Sequence, residues 1–197
     1  MGVLPGKRIT LQCRLLGIEG SGLLPGELSS VAAVDDGAHL HLTLLHLGKL
    51  GELASDIRVA SNRNGELVEI ELELRRWVLE VPRLEAFDAK SGNVSLFGAP
   101  DNPVAALEVL PSPEIGAMRD NMYRSMCDLL NGFGIANVES FVSHSKTLGF
   151  TGAKWRPHVT LGRPLVAHGE FPIEMSPMLL HFEASEVRNG ESLRSDE

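Results

Sequence analysis

Two short segments, His41-Leu42-Thr43-Leu44 and His158-Val159-Thr160-Leu161, constrain the fold more than any other feature of this 197-residue chain. Each alternates polar and apolar side chains, and in an extended strand residues two apart share a face. His41 and Thr43 then project one way while Leu42 and Leu44 enter the core. His158 and Thr160 do the same against Val159 and Leu161. An imidazole or hydroxyl buried without a partner is costly, so the polar face of each strand either meets an opening or is satisfied internally. With seven histidines and five threonines in the chain, chance supplies only about 0.2 His-x-Thr pairs. Two copies, each inside an apolar run ("HLHLTLLHLG", 39–48, and "RPHVTLGRP", 156–164), point to a shared purpose.

The rest of the chain can build the core these strands need. Hydrophobic residues make up 43% of it but aromatics only 5%, so leucine, valine and alanine supply most of the packing. A formal net charge of −8 excludes a general nucleic-acid coat protein or a duplex-DNA binder, but not a small phosphate ligand in a locally basic pocket. Cys13 and Cys127 form neither a ligand cluster nor a disulfide framework, which fits a reduced, cytoplasmic setting (the host cytoplasm for a viral chain). The segment "MGVLPGKRITLQCRLLG" lacks the uninterrupted apolar core of a signal peptide, and no later run reaches membrane-spanning length. The expectation is a soluble monomer with no membrane partner.

Residues 8–17 read as a strand, and 31–47 as a hairpin turning at Asp36-Gly37. The stretch "NGELVEIELELRRWV" fits both periods. Leu67, Ile70, Leu74 and Trp77 recur at helical spacing among good helix formers, which favours a helix. Three short strands follow in "VPRLEAF", "NVSLFG" and "VAALEVL", separated by breakers at Ser91-Gly92-Asn93 and Pro100-Asp101-Asn102-Pro103. Residues 112–134 predict a helix capped by Ser112, opened by Pro113 and closed by Gly132 or Gly134. Its apolar stripe is Ile115, Met118, Met122, Met126, Leu129 and Leu130. "RPHVTLGRPL" and "MLLHFEASEV" read as strands. No linker divides the chain, so it is expected to be one α+β domain over 1–187 with a polar tail at 188–197.

Two histidines and two hydroxyls are the equipment of phosphodiester chemistry. A base must activate an oxygen nucleophile, and an acid must protonate the leaving oxygen across phosphorus. Imidazole titrates near neutrality and can do either. Hydroxyl donors can hold the non-bridging oxygens, where charge builds. The scheme needs no metal and no cofactor. His39, His41 and His46 make a poor zinc set, because opposite parity splits the trio and no carboxylate or cysteine completes it at a usual spacing. Around the second copy, 140–169 carries Lys146, Lys154, Arg156 and Arg163 with no acidic residue before Gly169, a local basic patch. Arg156 shares strand parity with His158 and is a candidate phosphate contact. His39 shares the parity of His41 and lines the edge of the site. Trp155 points the other way, toward base stacking or, more simply, a core or rim role. Lys49 and Arg163 are further candidate substrate contacts.

The two His-x-Thr-x motifs, with "HLTLLHLGKL" and "PHVTLGR" around them, resemble the two-histidine (2H) phosphoesterase superfamily, which includes 2′-5′ RNA ligase-like proteins and cyclic phosphodiesterases. The resemblance spans roughly residues 8 to 187. It implies two similar lobes of antiparallel sheet with outer helices around a central cleft. It also implies His41 and His158 as the acid–base pair and Thr43 and Thr160 as phosphate-binding hydroxyls. Their 117-residue spacing is long for the family and implies an insertion within 50–80. The expected function is metal-independent cleavage of linear or cyclic oligonucleotides, including 2′-5′-linked or cyclic-nucleotide immune signals. The alternatives are hydrolysis of 2′,3′-cyclic phosphates, ligation of 2′-5′ RNA ends, and non-catalytic binding of nucleotides or RNA ends.

Overall fold

Period-two alternation of buried and open residues produces the central strands. In β1 (Arg8–Ile18), Ile9, Leu11, Cys13 and Leu15 are buried, while Arg8, Arg14 and Leu16 are exposed. In β3 (His41–Lys49), Leu42 and Leu44 are buried between half-buried His41 and Thr43. In β6 (His158–Pro164), Val159 and Leu161 are buried beside His158 and Thr160. The computed structural model describes residues 7–19, 26–34, 39–61, 66–148, 151–152 and 155–190. The remaining elements are α1 (Gly26–Val31), β2 (Ala32–Ala33), α2 (Leu50–Ser61), α3 (Leu67–Glu80), β4 (Phe87–Ala99) and β5 (Asn102–Leu110). They are followed by α4 (Pro113–Gly132), α5 (Val138–His144), β7 (Leu179–Phe182) and β8 (Glu186–Gly190).

The chain is α+β, and its strands pair antiparallel. The pairing runs β6-β3-β1-β7-β4-β5 and returns from β5 to β6, a closed circuit of strands. β2 joins β6, and β8 joins β1. The outer face carries one core, in which Leu42, Leu44, Val159, Leu161 and Leu107 pack with Ile57 of α2, Leu74 of α3, Met122 and Met126 of α4 and Val142 of α5. The opposite face carries His41, Thr43, His158 and Thr160, so the helices serve to hold these strands. Among the described residues, no helix is long and apolar enough to cross a membrane.

Several elements differ from the sequence reading. The α3 and α4 helices form as expected, α4 with Ser112 accepting from the Ile115 amide at 3.4 Å and Gly134 in the left-handed region. The hairpin at 31–47 does not form, because β2 pairs with β6 instead of β3 (the turn at Asp36-Gly37 lies outside the described residues). Ser91-Gly92-Asn93 is a bulge inside a continuous β4, with a register shift between Ser91 and Val94. Residues 82–86 are not strand. The described residues of the 50–80 segment form a pair of packed helices, α2 and α3. β8 takes Arg188 to Gly190 into the sheet beside Arg8 to Thr10, where the sequence reading begins its tail.

Gly162, directly after the second motif, requires its residue type. Its φ is +143°, and a Cβ there would lie 2.0 Å from the Ala33 carbonyl oxygen. The close approach of β2 to β6 therefore depends on the missing side chain.

Candidate active site

β3 and β6 carry the two motifs and lie side by side. Leu42 pairs with Val159, which sets Thr43 across from His158 and His41 across from Thr160. The four polar residues thus occupy four corners of one patch on one face, opposite the core face that takes Leu42 and Val159. Each motif strand also bulges just after its threonine. Gln12 and Leu11 of β1 face Thr43 and Leu45, leaving Leu44 extra. Ala106 and Ala105 of β5 face Thr160 and Gly162, leaving Leu161 extra. Bulges of this kind re-aim side chains near functional sites. The two copies repeat each other in backbone as well as in sequence.

The imidazoles repeat each other too. His41 Nδ1 lies 2.8 Å from the His39 carbonyl, and His158 Nδ1 lies 2.6 Å from the Arg156 carbonyl. A carbonyl only accepts, so each Nδ1 carries a proton and donates it. The neutral ring then keeps its lone pair on Nε2, the nitrogen a base needs, and the protonated ring offers Nε2–H, the bond an acid needs. Among the described residues neither threonine hydroxyl spends itself on another hydrogen bond, which leaves both available to a ligand.

Both imidazoles titrate below the ordinary 6.5, chiefly because burial disfavours their charge. The carbonyl bonds oppose this in each case. His41 also faces Arg188, which lowers it further, and Glu186, which raises it. His158 faces Arg156 and His41, both lowering. A charge on His41 disfavours one on His158, so the pair resists double protonation.

Neighbouring strands complete the patch. Gln12, 1% exposed, lies across from Thr43 and donates to Glu186 at 3.1 Å. Glu108 lies across from His158 and accepts from the Ser95 hydroxyl at 2.6 Å. The Phe97 ring stacks on His158 with centroids 4.0 Å apart and planes at 25°. Sequence reasoning missed these residues because only the pairing register brings them to the motifs.

The other sequence candidates scatter. Arg156 lies beside the patch, its guanidinium 4.3 Å over the Phe97 ring. His39 is exposed ahead of β3 and contributes its carbonyl to His41. Trp155 turns inward, donating from Nε1 to the Thr43 carbonyl at 3.1 Å, with Arg119 against its ring. It ties the approach to β6 onto β3, which is the rim or core role and not a stacking platform. Lys49 closes the far end of β3, eight residues and about 26 Å along the strand from His41, and pairs with Glu52 at 2.8 Å. Arg163 sits across from Ala33, exposed, five residues past His158. Neither of the last two joins the patch.

No protein-family model matches the sequence, and no curated protein is significantly similar to it. Among solved structures, the chain is similar to TT0787 of Thermus thermophilus, at 17% identity over 91% of this chain and 86% of that one, with a TM-score of 0.48. It is also similar to a phosphoesterase (12% identity, 94% and 96% covered, TM-score 0.40). E. coli LigT complexed with 3′-AMP gives 13% identity, 94% and 95% covered, and a TM-score of 0.38. These overlays are too loose to carry a residue role or an activity to this chain.

Proposed function

We propose that the protein is a 2H-type phosphodiesterase acting on nucleotide or oligonucleotide phosphodiesters, with His41 and His158 as its acid–base pair. The observation that carries this reading is the shared setting of the two rings. They stand on one face of adjacent strands, each with Nδ1 tied to the carbonyl two residues earlier and Nε2 left for chemistry. A pure binding module has no need for two imidazoles held in the same tautomer, which disfavours that alternative.

In the proposed reaction, the scissile phosphate lies over the patch between the two rings. The neutral imidazole takes a proton at Nε2 from a ribose 2′-hydroxyl or a water, and that oxygen attacks phosphorus. The protonated imidazole gives its Nε2 proton to the leaving oxygen. Thr43 and Thr160 donate to the non-bridging oxygens as charge develops. Attack by a 2′-hydroxyl leaves a cyclic phosphate, and attack by water opens one. Ligation of 2′-5′ ends uses the same groups in reverse.

The test is to incubate the protein with a panel of linear and cyclic oligonucleotides and 2′,3′-cyclic phosphates, and to identify products by mass spectrometry. At least one substrate is expected to turn over at an undiminished rate in EDTA, because proton transfer is supplied by side chains. Recovery of every compound unchanged from a tight complex would favour the binding reading. Activity lost to EDTA and restored by zinc would replace the scheme with a metal-assisted one.

The pH profile follows from the same two rings. Activity needs one imidazole neutral and one protonated, so kcat/KM is bounded by the two macroscopic titrations of the pair. Burial lowers both below 6.5. The acid limb, where the base becomes protonated, and the alkaline limb, where the acid loses its proton, both move down. The optimum of kcat/KM is therefore expected on the acid side of 6.5. A bell centred above about pH 7.5 in a pH–rate series would contradict this.

A further inference from the structure

One difference breaks the likeness of the two copies: His158 carries an aromatic ring against its face, and among the described residues His41 has no such partner. Phe97 reaches His158 from β4, two strands away, across β5. Its centroid lies 4.0 Å from that of the imidazole, with the planes at 25°, and 4.3 Å from the Arg156 guanidinium carbon.

Two consequences follow. The His158 ring is restrained twice, in rotation by its Nδ1–H bond to the Arg156 carbonyl and in tilt by the phenyl plane. Water is also kept from one face of the imidazole. Resting on the assignment of His158 to the acid–base pair, we propose that Phe97 is a positioning residue that holds the His158 ring in its reactive orientation by stacking on it. The charged and titratable groups around this ring are Arg156 on its own segment, His41 on β3 and Glu108 on β5. Glu108 already accepts from Ser95.

The test compares the wild-type protein with Phe97→Leu and Phe97→Tyr by NMR and by steady-state kinetics. In the wild type, ring current from Phe97 displaces the His158 ring-proton resonances upfield. In Phe97→Leu the displacement disappears, the His158 midpoint rises toward 6.5, and kcat falls about tenfold to a hundredfold with KM little changed. Phe97→Tyr, which keeps the ring, restores all three. Unchanged His158 resonances and midpoint in a folded Phe97→Leu overturn the proposal. So does a rise in KM with kcat intact, which would make Phe97 a substrate platform. Should the wild type turn over no phosphodiester, the proposed function falls, while the resonances still decide whether Phe97 orients His158.

Discussion

His158→Ala lowers phosphodiester turnover by about 10³-fold, and His41→Ala by a comparable factor, each with the fold intact. General acid–base catalysis by one positioned group contributes roughly 10² to 10⁴, and each variant removes one of the two proton carriers. Because the two act as a unit, the double variant is expected to be scarcely slower than either single one. Stability is expected to hold, because both rings lie on the open face and their loss leaves the Leu42–Val159 core contact in place. The measurement is kcat on the substrate found by mass spectrometry, beside a urea denaturation of each variant. Full turnover in either single variant removes the pair from the chemistry.

The second large effect is on stability and lies at Arg119, 1% exposed on α4. The Leu44 carbonyl is freed from the β1 ladder by the bulge after Thr43, and Arg119 Nε donates to it at 3.4 Å. Arg119 Nη2 donates to the Thr151 and Gly152 carbonyls at 2.9 and 3.0 Å, and Asp120 lies 3.5 Å from Nη1. The guanidinium also packs on the rings of Tyr123 and Trp155. Burial lowers its pKa and Asp120 raises it again, so the charge is kept at a cost that these contacts offset. Arg119→Met keeps the bulk but leaves the three carbonyls without their donor. The expected loss is about 3 to 5 kcal/mol, read as an earlier urea midpoint at unchanged slope. A midpoint within error of the wild type would show that the arginine is not holding β3 to Thr151 and Gly152.

The strands that carry the site were legible because alternation is a local signal. His41-Leu42-Thr43-Leu44 states its own faces, and so does the second copy. The α4 helix was legible for the same reason, with its cap and stripe written in neighbouring residues. What escaped was set by distant pairing. The Asp36-Gly37 signal suggested a hairpin, yet Ala32 and Ala33 find their partners at Pro164 and Arg163. Ser91-Gly92-Asn93 looked like a break because a bulge and a turn use the same residues. The α2 stripe of Leu50, Leu53, Ala54 and Ile57 followed directly on an apolar strand, which hid its change of period. Phe97, Gln12 and Glu108 meet the motifs only through the register of β1, β4 and β5. Arg119 did leave a trace, a charge four residues after Ile115 and three before Met122 on the buried stripe of α4.

The closed circuit of strands has a consequence for life in a crowded solution. An open sheet ends in a row of unpaired amides and carbonyls that can template another chain, and fibrillar aggregation starts there. Here, among the described residues, β3, β1, β7, β4, β5 and β6 each pair with a strand on both sides along at least part of their length, β3 and β6 through Leu42 and Val159. Among the described residues, the strands added outside the circuit are β2 and β8, two and five residues long, too short to recruit a stable foreign strand. The ring that frames the histidines thus also guards the molecule against sticking to itself.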